Sequence, residues 1–271
     1  MLSVSELLPW ETETPGERLF LVVYEFVKAR APRYPNDHEW IISNDGIREF
    51  FRLVMAMELT HRCINFAADS VISIESAASP TRLFPHLRSE LGIYDSERTL
   101  RQISELAYRA GLAYVERNLS TGKKNEAHRE SSGKCCWCAK PTSRAKNTSE
   151  NDKATVEHIW PEFLGGTSET ANLTIACKKC NTVRQHGFTW AWFALQACNE
   201  KLDENGKLPR TVMLPLALYR LMRVASGQTR LSAGKLTLKD ALNRLKGAIP
   251  SLDLAQDRRY TFFELLNLVS D

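Results

Sequence analysis

The sequence predicts a mainly α fold, with helical N- and C-terminal regions around a small cysteine-bearing module, on three observations. Apolar residues recur at helical spacing over long stretches, two Cys-x-x-Cys pairs stand at Cys135–Cys138 and Cys177–Cys180, and a β-branched run lies between those pairs. With 271 residues, 43% of them hydrophobic, the chain can bury at least one full core.

Thr14-Pro15-Gly16-Glu17 reads as a capping box with proline at the first helical position, and Phe20, Val23 and Val27 follow on one face until Ala31-Pro32. Pro32 to Trp40 reads as a loop. Asn44 or Asp45 then caps a long helix with Ile47, Phe50, Phe51, Val54 and Met55 on its apolar face, ending near Ala77. A short helix spans Leu83 to Leu91. After a turn at Gly92, Asp95 or Ser96 opens another helix, with Gly111 as its C-terminal cap. Leu112 to Arg117 reads as a strand leading into a polar wing at Ser120 to Asn125. Residues 81–118 are therefore either a winged-helix-like DNA reader, with Arg98, Arg101 and Arg109 for phosphate, or a plain helical packing unit.

These elements make residues 1–118 a helical N-terminal domain and the polar, aperiodic stretch 119–134 a linker. Residues 135–200 form the cysteine module, in which the aromatics from Phe188 to Phe193 read as core. Residues 201–271 form a basic helical region: a turn at Asn205-Gly206, helices from Pro215 to Ala225 and from Leu238 to Leu245, the latter capped by Thr237, and a last apolar run from Tyr260 to Val269. Residues 1–60 carry six Lys/Arg against ten Asp/Glu, a balance of −4, and residues 201–250 carry ten against three, a balance of +7. That asymmetry suits either a polyanion at the C-terminal part or a solvated basic surface. No basic leader and no eighteen-residue apolar run occurs, so the expected address is the cytoplasm, without membrane.

In a reducing compartment paired cysteines favour metal over disulfides. Cys135, Cys138, Cys177 and Cys180 supply four thiolates, the set for a closed, structural zinc site. Cys63, Cys136 and Cys198 are left over and read as inert thiols. Between the pairs, Thr155 to Pro161 predicts a strand, Gly165-Gly166 a turn, Asn172 to Ala176 a second strand, and Asn181 onward a helix.

The words Glu157-His158-Ile159-Trp160-Pro161, Gly165-Gly166, Asn172-Leu173 and Cys177-Lys178-Lys179-Cys180-Asn181 resemble, in order and spacing, the ββα-metal motif of the HNH endonuclease family. The resemblance implies phosphodiester hydrolysis. His158 would be the general base, Glu157 and Asn181 would hold a hard divalent cation, Mg²⁺ or Mn²⁺, and Asn172 would hold the loop and orient His158. Asn181 stands where the family's final His falls, so the pattern is His-Asn-Asn and zinc or nickel is disfavoured at the catalytic position. Arg184, one turn after Asn181, is expected to clamp a phosphate, with Lys178 and Lys179 on the nucleic-acid backbone. His186 lies outside the matched positions and reads as solvent-facing or capping.

The expected function is thus a metal-dependent DNA endonuclease that nicks one strand per site, as a restriction or phage-defence effector. The alternatives are a catalytically silent zinc-knuckle module that binds nucleic acid and a scaffold whose helices matter most. The expected partner is DNA, with RNA left open. The N-terminal helices would carry a target, partner or regulatory contact, and double-strand cleavage would need a dimer, a homo-oligomer of the chain, or a second event.

Overall fold

Thr14 and Glu17 cap each other at the start of α1 (Pro15–Arg30). The Glu17 amide donates to Thr14 Oγ1 at 3.1 Å and the Thr14 amide to Glu17 Oε2 at 2.7 Å, the reciprocal pair that the capping box implies. Trp10 Nε1 donates to the other carboxylate oxygen at 2.9 Å, and burial pushes the Glu17 carboxyl up despite these bonds. The computed structural model describes residues 10–30, 45–72, 82–116, 118–145, 147–185, 202, 207–227, 229, 231–232, 234–255, 258–260 and 262–269. The expected loop from Pro32 to Trp40, the helix end near Ala77, His186, the aromatics from Phe188 to Phe193, Cys198 and the turn at Asn205-Gly206 lie outside them.

The N-terminal helices continue with α2 (Asp45–Ile72), α3 (Leu83–Ser89) and α4 (Glu97–Val115). Ser96 caps α4 by accepting from the Thr99 amide at 3.2 Å. Two expectations fail next. Gly111 does not end α4, and Leu112 to Val115 are helical rather than a strand, so the winged-helix order lacks its hairpin. Gly111 is instead where α4 crosses α2: a Cβ there would lie 2.9 Å from the Ala68 amide nitrogen and 3.0 Å from Ala67 Cβ. The polar stretch after it is a helix too, α5 (Thr121–Glu130), capped by Ser120 and burying only Ala127, which is why no periodicity announced it.

Gly111→Ala is expected to destabilise the protein by about 1–3 kcal/mol through overpacking, despite the better helix propensity of alanine. Gly122→Ala, where a Cβ meets nothing nearer than Ser120 Oγ at 3.7 Å, is expected to stabilise by about 0.4–1 kcal/mol. Urea melts of the two variants should move in opposite directions.

The central module is a two-stranded antiparallel sheet of β1 (Ala154–His158) and β2 (Leu173–Cys177), followed by α6 (Lys178–Gln185). The strands and their order agree with the sequence. Cross-strand partners share a face, so the register Val156↔Ile175 and His158↔Leu173 puts these four on one face, with Glu157 and Thr174 on the other. Ala127 of α5 packs on the first face, with Leu173 and Ile175. The second face meets α6. A two-stranded sheet alone is marginal in water, and here a helix covers each side.

The C-terminal helices are α7 (Arg210–Ala225), α8 (Leu238–Leu245) and α9 (Phe262–Val269). α8 begins where the sequence puts it, with Thr237 Oγ1 accepting from the Asp240 amide at 3.0 Å. α7 starts earlier than expected, so Pro215 lies inside it. One cluster of buried residues runs from α1, α2 and α4 through Trp137, Trp160 and Cys177 to α7, α8 and α9. Trp160 is its hinge point, 5.2 Å from Phe20 and 6.0 Å from Trp10, ring centre to ring centre. Among the described residues no helix is long and apolar enough to cross a membrane.

Candidate active site and metal centres

The sulfurs of Cys135, Cys138, Cys177 and Cys180 lie within 4.8 Å of one another, with Cys138 and Cys177 at 3.9 Å. A tetrahedral zinc with bonds of about 2.3 Å needs sulfurs about 3.8 Å apart, so the cluster fits with little adjustment. The first knuckle is anchored from both sides: the Cys136 amide donates to Ile175 O of β2, and the Ala248 and Ile249 amides donate to Cys136 O and Trp137 O. Hydrogen bonds from Cys135, Cys177 and Cys180 hold the Cys138 thiol well below its usual range, and hydrogen bonds with Cys136 and then Cys138 push Cys135 up to about 11. A divalent cation would let all four thiols ionise. Arg210 bonds Cys180 Sγ and offsets part of that negative charge.

The residues between and after the pairs sort onto the two faces of the sheet. On the α6 side Glu157 is buried and ion-paired with Arg184, while its Oε2 is buried without a hydrogen-bond partner. Asn181 donates from Nδ2 to Thr155 Oγ1 at 3.0 Å and to Val156 O at 3.1 Å, which leaves its Oδ1 without a bond. On the other face the His158 imidazole holds Nε2 at 3.1 Å from Ser168 Oγ and 3.3 Å from Glu162 Oε1. The end of β1 thus carries a histidine on one face and, with α6, two side-chain oxygens on the other.

Residues 135–192 match the family described as HNH endonuclease. This segment of the chain is an HNH module. No curated protein and no solved structure matches the chain. The matched segment takes in both cysteine pairs, β1, β2 and α6, and its last residues, 186–192, fall outside those described.

Within the HNH module, two sequence expectations need correction. Arg184 does not clamp a phosphate from the surface. Its side chain is 7% exposed, and its guanidinium pairs with the Glu157 carboxylate, donates to His158 O and Ile159 O, and lies 4.7 Å over the Trp137 ring. Burial depresses its pKa to about 10. One planar fork therefore splints three consecutive residues at the end of β1 and ties them to the zinc knuckle. Asn172 holds the loop as expected but makes no bond to the His158 ring. Its Oδ1 accepts from the Trp160 amide at 2.7 Å, and its Nδ2 donates to Trp160 O at 3.0 Å and Thr167 O at 2.9 Å.

The glycine pair has a stricter role than a turn. Gly165 takes φ 75°, and a Cβ on it would lie 2.6 Å from Ala110 Cβ, while a Cβ on Gly166 would lie 1.9 Å from Trp160 O. Glu162 and Ser168 escaped the sequence reading. Their only signal is proximity to the motif, Glu162 following Pro161 directly. Lys178 pairs with Glu150, whose carboxyl Lys153 and Lys178 hold down to about 2, and Lys179 is exposed on the neighbouring face of α6.

The oxygen set fits a hard divalent cation. Glu157 Oε2 and Asn181 Oδ1 are the two donors without a partner, one anionic and one neutral, and such a cation takes its other positions from waters and phosphate oxygens. It would share Glu157 with the guanidinium of Arg184.

Proposed function

We propose that the HNH module is a metal-dependent endonuclease that hydrolyses DNA phosphodiester bonds, nicking one strand per active site, with the chain acting as a restriction or phage-defence effector. One observation supports the nuclease reading: the segment that matches the HNH endonuclease family carries the His158 imidazole at the end of β1 and, on the α6 face of the same strand end, Glu157 Oε2 and Asn181 Oδ1, which have no hydrogen-bond partner among the described residues.

The roles follow from hydrogen-bond inventory. Glu162 Oε1 and Ser168 Oγ hold the ring at His158 Nε2, and the imidazole acts as the base. Water gives its proton to the His158 imidazole, its oxygen bonds phosphorus, and the P–O3′ bond breaks, a proton from solvent completing the 3′-hydroxyl. Glu157 and Asn181 would hold Mg²⁺ or Mn²⁺, which would supply Lewis acidity for the hydrolysis. Asn172 and Arg184 act through the backbone, fixing the strand end and the loop on either side of His158.

Nicking of supercoiled plasmid in Mg²⁺ or Mn²⁺ tests this. His158→Ala is expected to slow nicking by about 10²–10⁴-fold, and Asn181→Ala to shift the metal concentration for half-maximal rate upward. Nicking that persists unchanged in the His158 variant would remove the catalytic assignment and favour a module that binds nucleic acid without cutting it.

A further inference from the structure

On the side of α6 turned away from Glu157 and Asn181 lies a cleft of about 840 Å³ between that helix and the C-terminal segments 207–213 and 249–254. Among the described residues its lining contains four cations, Lys140, Lys179, Lys207 and Arg210, and no Asp or Glu. The three lysines are exposed. Lys179 and Val183, four residues apart, face the cleft, whereas Asn181 and Arg184 face the sheet, as the helical repeat requires. The floor is aliphatic, with Val183, Met213, Ile249 and Leu252.

Zinc with four thiolates carries two negative charges, and Cys138 borders the cleft, so a purely structural surface would need about two cations there to balance it. Arg210 already attends Cys180 and Lys207 has a partner of its own, while Lys140 and Lys179 stand exposed beyond them. The excess favours an anionic ligand. The described lining is cationic and aliphatic, and contact with sugar and phosphate is the recognition that such a wall supports.

We infer that this cleft seats the phosphate backbone of the polynucleotide, flanking the scissile bond rather than holding it. The inference rests on the reading of the module as acting on nucleic acid. A helix is about 10–12 Å across with its side chains, so a strand in the cleft runs past α6 within a few nucleotides of Asn181. Recognition there is blind to base sequence and strongly dependent on salt.

The test is fluorescence anisotropy of the full chain with labelled DNA and RNA oligonucleotides, single-stranded and duplex, without added divalent metal, over a range of KCl concentrations. Lys140→Ala and Lys179→Ala are each expected to flatten the slope of log affinity against log salt by about 0.9 on duplex DNA and about 0.7 on single strands. The double variant Lys140→Glu/Lys179→Glu is expected to weaken binding at least tenfold at 0.1 M KCl, whereas Arg88→Glu on α3 should leave it within twofold. Zinc content and thermal melting, unchanged in each variant, certify the fold. Cleft variants that bind like the unaltered chain, or that weaken no more than Arg88→Glu, would overturn the proposal. Plasmid nicking separates the two readings: binding lost in cleft variants of a protein that never nicks leaves the cleft standing without the nuclease, and nicking with unaltered binding leaves the nuclease without the cleft.

Discussion

Cys180→Ser is expected to release zinc and unfold the HNH module, the largest effect of any single substitution in the chain. Structural zinc contributes about 10–16 kcal/mol to four-ligand peptide modules near neutral pH, more than the whole stability of most domains. Little else would hold this module together. Its private apolar cluster has Ala127, Leu173 and Ile175 as buried members, and its sheet has two strands. Serine cannot replace the thiolate, and the remaining three sulfurs lose most of their zinc affinity. The loss should spread, because Cys135, Cys177, Cys180 and Trp137 belong to the main core shared with the flanking helices. Metal analysis should give one zinc per chain for the unaltered protein and none for the variant, whose thermal midpoint should fall by at least about 10 °C. A variant that keeps both its zinc and its midpoint would refute the four-thiolate staple.

Arg184→Met is expected to cost about 3–5 kcal/mol and to abolish nicking, because it strands a buried Glu157 carboxylate without a counter-charge. Two carbonyls, of His158 and Ile159, lose their donors as well. The double variant Glu157→Gln/Arg184→Met should recover most of the stability without the activity, since removing both charges removes the desolvation cost. Arg184→Lys keeps the charge but not the fork, so it should fall between. A surface phosphate clamp predicts the reverse pattern: unchanged urea melts, weaker substrate binding, and good rescue by lysine. Chemical denaturation of the four proteins, read beside plasmid nicking, decides between the two.

What the sequence conveyed well was local. A Thr with Glu three residues on, or with Asp three residues on, stops a helix from starting elsewhere, and both caps formed as read, at Thr14 and Thr237. The two cysteine pairs and the β-branched run between them likewise encode their own geometry. What it conveyed poorly depends on partners far along the chain. Gly111 looks like a cap until the backbone of Ala68 is seen 2.9 Å from where a side chain would begin. α5 has no apolar stripe because its one buried contact, Ala127, rests on a sheet that is formed later in the chain. Arg184 shares a helical face with Asn181, which the spacing shows, but the spacing does not say that the face is buried. Adjacency misled in the same way at Glu157 and His158: neighbours in sequence project to opposite faces of a strand, so they meet different partners.

Gly165 O accepts from the Gly16 amide at 3.2 Å, at the first turn of α1, and the Glu11 amide donates to Leu236 O at 3.0 Å just before α8. The N-terminal segment is therefore a clasp, fastened at once to the loop that follows His158 and to the basic C-terminal part. A fragment cut at residue 119 would lose the clasp and lay Trp160 and Leu164 open to water, however tidy the cut looks on paper. The loop after His158 and the first helix thus share one mechanical fate. A protein that bound and shifted α1 would reach the chemistry directly, across a single hydrogen bond between two glycines.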